Sequence, residues 1–337
     1  VIPPPWRPAA EAAAGAPLTV VIGPIEAGKT TLTALLANDL AARGHAVAIL
    51  DADLGQSEIG PPTTIGLGRV VRPLGRLADA QLIAMHFVGA TSPAANVAAT
   101  LVGVRVLADR ARAAGFTRLL VDTSGLVRGE LGRTLKQAKI ALLDADLLVA
   151  LQRGRECEHI LAPYRDARPA VVRVAALPAP RRRSAGVRRR RRAHALRGYF
   201  AAAPPAVLDL TRVVLRAPPL FTGAPLDVSE LQAAAAAGAR LVWGERRDGD
   251  VVVVAAEPLA DADVRRLGRA LGARPPVAYA LSELEGVVAG LENGQGHTVG
   301  LAVVRRLDVA ARRLHVETPA ALVDVKAVVL GRERFPE

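Results

Sequence analysis

The stretch LTVVIGPIEAGKTTLTALL, residues 18–36, limits the possible folds of this chain more than any other. Within it GPIEAGKT, Gly23 to Thr30, fits the pattern G-x-x-x-x-G-K-[ST]. A β-branched run precedes it and a helical pattern follows, which is the strand–turn–helix setting of a phosphate-binding loop. Gly23 and Gly28 let the backbone curl so that its N–H groups and the helix N-terminus face an anion. The candidate nucleotide-binding segment is therefore Gly23, Pro24, Ile25, Glu26, Ala27, Gly28, Lys29, Thr30 and Thr31. Lys29 is the residue to reach the outer phosphates, and Thr30 offers a hydroxyl to Mg²⁺.

From residue 18 onward short β-branched runs alternate with longer helical patterns. Strands are expected near 18–22, 46–50, 85–89, 118–122, 146–151 and 170–175, with helices near 28–43, 94–114, 130–142 and 155–162. This alternation predicts an α/β fold, a P-loop NTPase parallel sheet with helices on both faces. Residues 1–17, rich in Pro and Ala, read as a loose leader. The α/β domain is expected over 18–203 and a linker over 204–218. After it VVVVAA, HTVGLAVV, RLHVET and VKAVVL, separated by turn signals, predict a smaller β-rich C-terminal domain over 219–337.

Composition removes several classes. A chain of 337 residues that is 51% hydrophobic can bury a sizeable core. No apolar run approaches the roughly 20 residues of a membrane span, and the N-terminus lacks the basic start and apolar core of a signal peptide. One cysteine, Cys157, excludes an internal disulfide and a multi-cysteine zinc site. A cytoplasmic location is the resulting expectation. The formal net charge is +12, yet nine arginines fall within residues 181–197. The basicity is local, so it reads either as one anion-binding element or as a solvated run left by an Arg-rich coding bias.

Several polar residues sit where ligands of open α/β sheets bind. In DADLGQS, Asp51 and Asp53 end the second strand on one face. A simple ATPase needs one acid near Mg²⁺. A second acid followed by Gly55 and Gln56 suits a hydroxyl that must be positioned and deprotonated for attack on the γ-phosphate. N-capping is the bland alternative, better suited to Asp51. Asp122 ends the strand LLVD and is a rival Mg²⁺-linked acid, or a cap of the next turn. Thr91, Ser92 and Asn96 follow another strand and either grip substrate phosphates or cap a helix. In residues 181–200, Ser184, Arg188, Arg192 and Leu196 fall four apart on one helical stripe. Arginines there would close over a transferring phosphoryl group, with Tyr199 and Phe200 anchoring the helix.

In their order GPIEAGKT, DADLGQSEIGPP, TSPAAN, DTSGLVRGELGR and the arginine-rich segment ending in YF, these motifs resemble the polynucleotide 5′-hydroxyl kinases, a family that includes archaeal RNA 5′-kinases and eukaryotic kinases of tRNA splicing and ribosomal RNA processing. The resemblance spans about residues 18–203, and the ending looks like the β-rich part of prokaryotic members. It implies transfer of the γ-phosphate of ATP to the 5′-hydroxyl of RNA or DNA, with Mg²⁺ and without a membrane. It further implies that Lys29, Asp53, Arg188 and Arg192 are catalytic, that Thr30 and Asp53 organise Mg²⁺, and that Gln56, Thr91, Ser92 and Asn96 contact the nucleic acid. In eukaryotic relatives the clasp is a tighter Thr-x-Asn, and the lid here holds neighbouring arginines, Arg189 and Arg191, that compete for the same role. Two other readings stay in play: a P-loop ATPase switch without kinase activity, and a catalytically silent nucleic-acid-binding subunit. A guanine-reading Asn-Lys-x-Asp is absent from the sequence, and Pro24 and Ile25 stand where dimerising ATPases carry an extra lysine.

Overall fold

In the computed structural model, which describes residues 2–176, 184–235 and 238–336, the chain divides into two units, Val1–Leu196 and Arg197–Glu337. The first runs α1 (Arg7–Gly15), β1 (Leu18–Ile22), α2 (Lys29–Ala42), β2 (Val47–Ala52), β3 (Thr64–Arg69), β4 (Gln81–Phe87), α3 (Val97–Ala113), β5 (Arg118–Thr123), α4 (Gly129–Leu143), β6 (Leu147–Gln152), α5 (Glu158–Leu161), β7 (Ala170–Ala175) and α6 (Ala185–Phe200). The division between the units falls inside α6. Arg181, Arg182 and Arg183 lie outside the described residues.

Strands β7, β6, β1, β5 and β2 pair in parallel in that order. Their residues alternate between two cores, as the twofold period of a strand requires. Val20, Ile22, Leu50 and Val121 pack with Val104, Leu107 and Ile140 of α3 and α4. Val21, Ile49, Leu120 and Val149 pack with Ala9, Leu32 and Leu36 of α1 and α2. Each fully buried Leu or Ile contributes about 1.5–3 kcal/mol. The expected helices on both faces are thus present, with two corrections. The sheet is mixed, because β3 pairs antiparallel with β2 and β4 pairs antiparallel with β3. Residues 1–17 are no loose leader: α1 buries Ala9 and Ala13, and the Trp6 ring nitrogen donates to the Ala175 carbonyl at 2.8 Å.

The second unit contains β8 (Pro205–Asp209), β9 (Val214–Ala217), β10 (Ala224–Pro225), α7 (Val228–Ala234), β11 (Leu241–Arg247), β12 (Asp250–Ala255), α8 (Asp261–Ala270), β13 (Val277–Ala280), α9 (Leu281–Leu284), β14 (Val287–Glu292), β15 (Thr298–Asp308), β16 (Arg313–Glu317) and β17 (Ala327–Arg334). One sheet orders β8-β16-β15-β14-β17-β9 and another β10-β11-β12-β13. This is the β-rich C-terminal part expected. Residues 204–218, expected as a linker, supply β8 and β9 to that sheet. Tyr199 accepts the Leu301 N–H at its hydroxyl, and Phe200 meets Phe335 edge-on with ring centres 5.5 Å apart. Both aromatics therefore anchor the end of α6, as expected. Among the described residues no helix is long and apolar enough to cross a membrane.

Candidate active site

The phosphate loop joins β1 to α2 between the carboxyl ends of the parallel strands. Gly28 has φ +97°, and a side chain there would also meet the Trp6 ring at 3.3 Å, so two constraints select glycine. Lys29 is buried at the start of α2 and donates to the Pro24 carbonyl at 3.0 Å. The lysine thus spans its own loop, with its ammonium held where phosphates would lie. Next to it the Thr30 hydroxyl donates to Asp122 Oδ2 at 2.6 Å, while Asp122 Oδ1 is buried without a hydrogen-bond partner among the described residues. A hydroxyl and an unpartnered carboxylate oxygen side by side are the hard oxygen donors a small divalent cation takes.

Asp51 and Asp122 face each other in register across β2 and β5. Asp51 accepts the N–H groups of Glu58 and Ile59 at 2.6 and 3.0 Å and that of Asp53 at 3.1 Å, so it fixes the turn from 53 to 59. Its oxygens are spent on that loop, which makes it a scaffold for Asp53. Burial, then the nearby Asp122 charge, pushes the Asp51 carboxyl above the usual range against the pull of those backbone donors. Burial pushes Asp122 up as well, opposed by Lys29 and by the Thr30 hydrogen bond. Asp53 is half-buried and accepts the Gly55 N–H at 3.0 Å.

Two lysines missing from the sequence-based list of site residues lie beneath these acids. Lys136 and Lys139 of α4 are fully buried. Lys136 donates to the carbonyl and hydroxyl of Ser124, two residues beyond Asp122. Lys139 Nζ has no hydrogen-bond partner among the described residues. Burial pulls its ammonium down to about 8, although Asp53, Asp51 and Asp122 hold it up. The readable signal was their place on the apolar stripe of α4, which buries Leu135, Ile140 and Leu143 alongside them.

Two clefts share Asp53 in their lining. The smaller, of about 330 Å³, lies over Lys29, Thr30 and Thr31 and is also walled by Leu35, Leu74 and Leu77. The larger, of about 880 Å³, is lined by Thr91 and Ser92, by Ser124 to Arg128, by Arg153 and by Arg188 and Arg192. Asp53 and Gln56 line both. On α6 Arg188 and Arg192 are half-buried while Arg189, Arg190 and Arg191 are exposed, and Arg192 donates to the Gly55 carbonyl at 3.4 Å. Asn96 is not brought to either cleft. Its side chain caps α3 by accepting the Ala99 N–H at 3.2 Å and donates to the Val88 carbonyl at 3.0 Å.

Residues 23–202 match the family described as mRNA cleavage and polyadenylation factor CLP1 P-loop. A protein of Thermococcus kodakarensis named polyribonucleotide 5′-hydroxyl-kinase is 30% identical over 94% of this chain and 88% of its own. One of the same name from Pyrococcus furiosus is 29% identical over 94% and 87%. Among solved structures, a chain of the wild-type Clp1p–Pcf11p complex superimposes with a TM-score of 0.59 over 94% of this chain and 74% of that one, at 15% identity, which supports the fold alone. Sequence match, fold and phosphate loop agree: the chain belongs to the CLP1 P-loop family.

Proposed function

We propose that the protein is an ATP-dependent polynucleotide 5′-hydroxyl kinase that transfers the γ-phosphate of ATP to the 5′-hydroxyl end of RNA or DNA. The observation that carries this reading is that Asp53 and Gln56 line two clefts, one over Lys29 and Thr30 and one that runs from Pro24–Glu26 of the loop to Arg188 and Arg192. A switch or a silent binding subunit has no use for an acid between a donor pocket and an acceptor pocket. The names of the archaeal relatives support the same activity.

In this reading the triphosphate lies along residues 23–31, where Lys29 exchanges the Pro24 carbonyl for the outer phosphates. Thr30 and Asp122 are the residues that would hold Mg²⁺, and the unpartnered Asp122 oxygen fits that role. Bound there, the ion would neutralise charge on the phosphates. This assignment moves the cation from Asp53 to Asp122, because Thr30 is bonded to Asp122. Asp53 is then released to accept the proton of the incoming 5′-hydroxyl as its oxygen attacks phosphorus in line and ADP leaves. Asp51 holds the Asp53 turn in place. Arg188 and Arg192 stabilise charge on the transferring group, with Thr91, Ser92 and Gln56 orienting the acceptor. Positioning and electrostatics supply most of the rate.

The test is incubation with γ-labelled ATP, Mg²⁺ and matched 5′-hydroxyl RNA and DNA oligonucleotides. Label should appear at the 5′ end and be removable by a phosphatase. ATP hydrolysis with no label on either oligonucleotide would refute the kinase reading.

A further inference from the structure

The larger cleft is lined by four arginines, and only two of them, Arg188 and Arg192, belong to the arginine-rich helix. The other two are Arg128, just before α4, and Arg153, just after β6. Arg153 is held in place: its guanidinium donates to the Glu26 carbonyl at 2.8 Å, and Glu156 accepts the N–H groups of Arg153 and Gly154 at 3.1 and 2.9 Å. Those backbone donors hold the Glu156 carboxyl below its ordinary range. Arg128 is exposed and makes no hydrogen bond or ion pair with any described residue. A hydrogen-bonded arginine and an uncommitted one in the lining of the same cleft match the fork-shaped recognition of phosphate oxygens.

The kinase chemistry makes no demand on these two. The 5′-hydroxyl must reach Asp53, whereas the first phosphates of the acceptor chain lie one and two nucleotides further along. We propose that Arg128 and Arg153 form a fixed grip for the backbone phosphates next to the 5′ end, so that the cleft selects an RNA chain over a lone nucleoside. The helix arginines serve the phosphoryl group in transit; this pair determines which acceptors are held. The inference rests on the larger cleft being the acceptor site, and its test is therefore made by binding, apart from phosphate transfer.

The probe is a 5′-hydroxyl tetraribonucleotide carrying a fluorophore at its 3′ end, titrated without ATP at several salt concentrations. A second probe has neutral methylphosphonate groups in its first two linkages. Arg128→Ala and Arg153→Ala should each weaken binding of the charged probe about tenfold, as expected for a hydrogen bond to a charged group. Each should also reduce the log–log salt slope by roughly 0.7. On the neutral probe wild type and variants should bind alike. Arg128→Ala is the decisive variant, since Arg153 also touches the phosphate loop. Unchanged affinity in Arg128→Ala, or a loss that persists on the neutral probe, would overturn the grip. So would failure of both Arg128→Ala and Arg128→Gln to fold, because that would make Arg128 a structural residue. Wild type that binds in this phosphate-dependent way but transfers no label refutes the kinase and leaves the grip standing. Wild type that phosphorylates nucleoside and tetranucleotide with equal kcat/KM refutes the grip alone.

Discussion

Replacing Lys139 by methionine should make the protein more stable at neutral pH. The ammonium is fully buried and lacks a hydrogen-bond partner among the described residues, and burial lowers its pKa from the ordinary 10.5 to about 8. Each tenfold change in a proton equilibrium is worth about 1.4 kcal/mol, so keeping this lysine protonated costs the folded state about 3 kcal/mol at pH 7. Methionine has similar reach, no charge and enough flexibility to fill the space. The sign follows from proton binding. Between pH 8 and 10.5 the unfolded chain keeps its proton on Lys139 and the folded chain does not, so wild-type stability rises with pH across that window. The advantage of Lys139→Met is therefore full below pH 8, shrinks through the window and vanishes above it. Urea unfolding of both proteins at pH 7, 9 and 10.5 measures this. A variant less stable than wild type at pH 7, or a gain that does not change with pH, would refute the reasoning.

Other outcomes follow from the site. Lys29→Ala should lower phosphate transfer by about 10² or more, as loss of a single transition-state donor does elsewhere; near-normal transfer would place the chemistry elsewhere. Asp53→Asn should collapse kcat while circular dichroism and oligonucleotide binding stay unchanged. Asp122→Asn should abolish the dependence of ATP affinity on Mg²⁺, and a retained dependence would return the cation to Asp53. Arg188→Ala and Arg192→Ala should depress kcat by up to ~10³ with little effect on oligonucleotide affinity; unchanged kcat in both would make the run a solvated surface.

The central strands and the phosphate loop were legible because burial on both sides leaves apolar runs and the loop has a fixed pattern. Strand β3 was not, because TIGLGR reads as a glycine-weakened segment. The structure gives the reason: a side chain at Gly66 would run into the Ile59 carbonyl, so close backbone approach, and not flexibility, fixes that glycine. Helix α1 escaped notice because its buried face is alanine, which carries almost no pattern signal. Sequence placed Arg188 and Arg192 on one stripe, and the structure brings that stripe to the cleft. It could not separate the capping and clasping uses of Asn96, since both ask for the same side chain just before a helix. Arg128 and Arg153 lie 25 positions apart in no shared motif, and only the fold brings them to one cleft.

The bond from Trp6 to the Ala175 carbonyl joins residues 169 positions apart, and β1 lies between β5 and β6, both of which come much later in the chain. During synthesis the phosphate loop thus emerges early but has no neighbours on either side of its strand. Its back wall, the Trp6 ring against Gly28, closes only when β7 has joined the sheet. A ribosome-bound chain stopped before β7 should therefore hold nucleotide poorly, and one extended past it should hold it well. The order of translation makes nucleotide capture a late event, reached when the whole first unit is assembled.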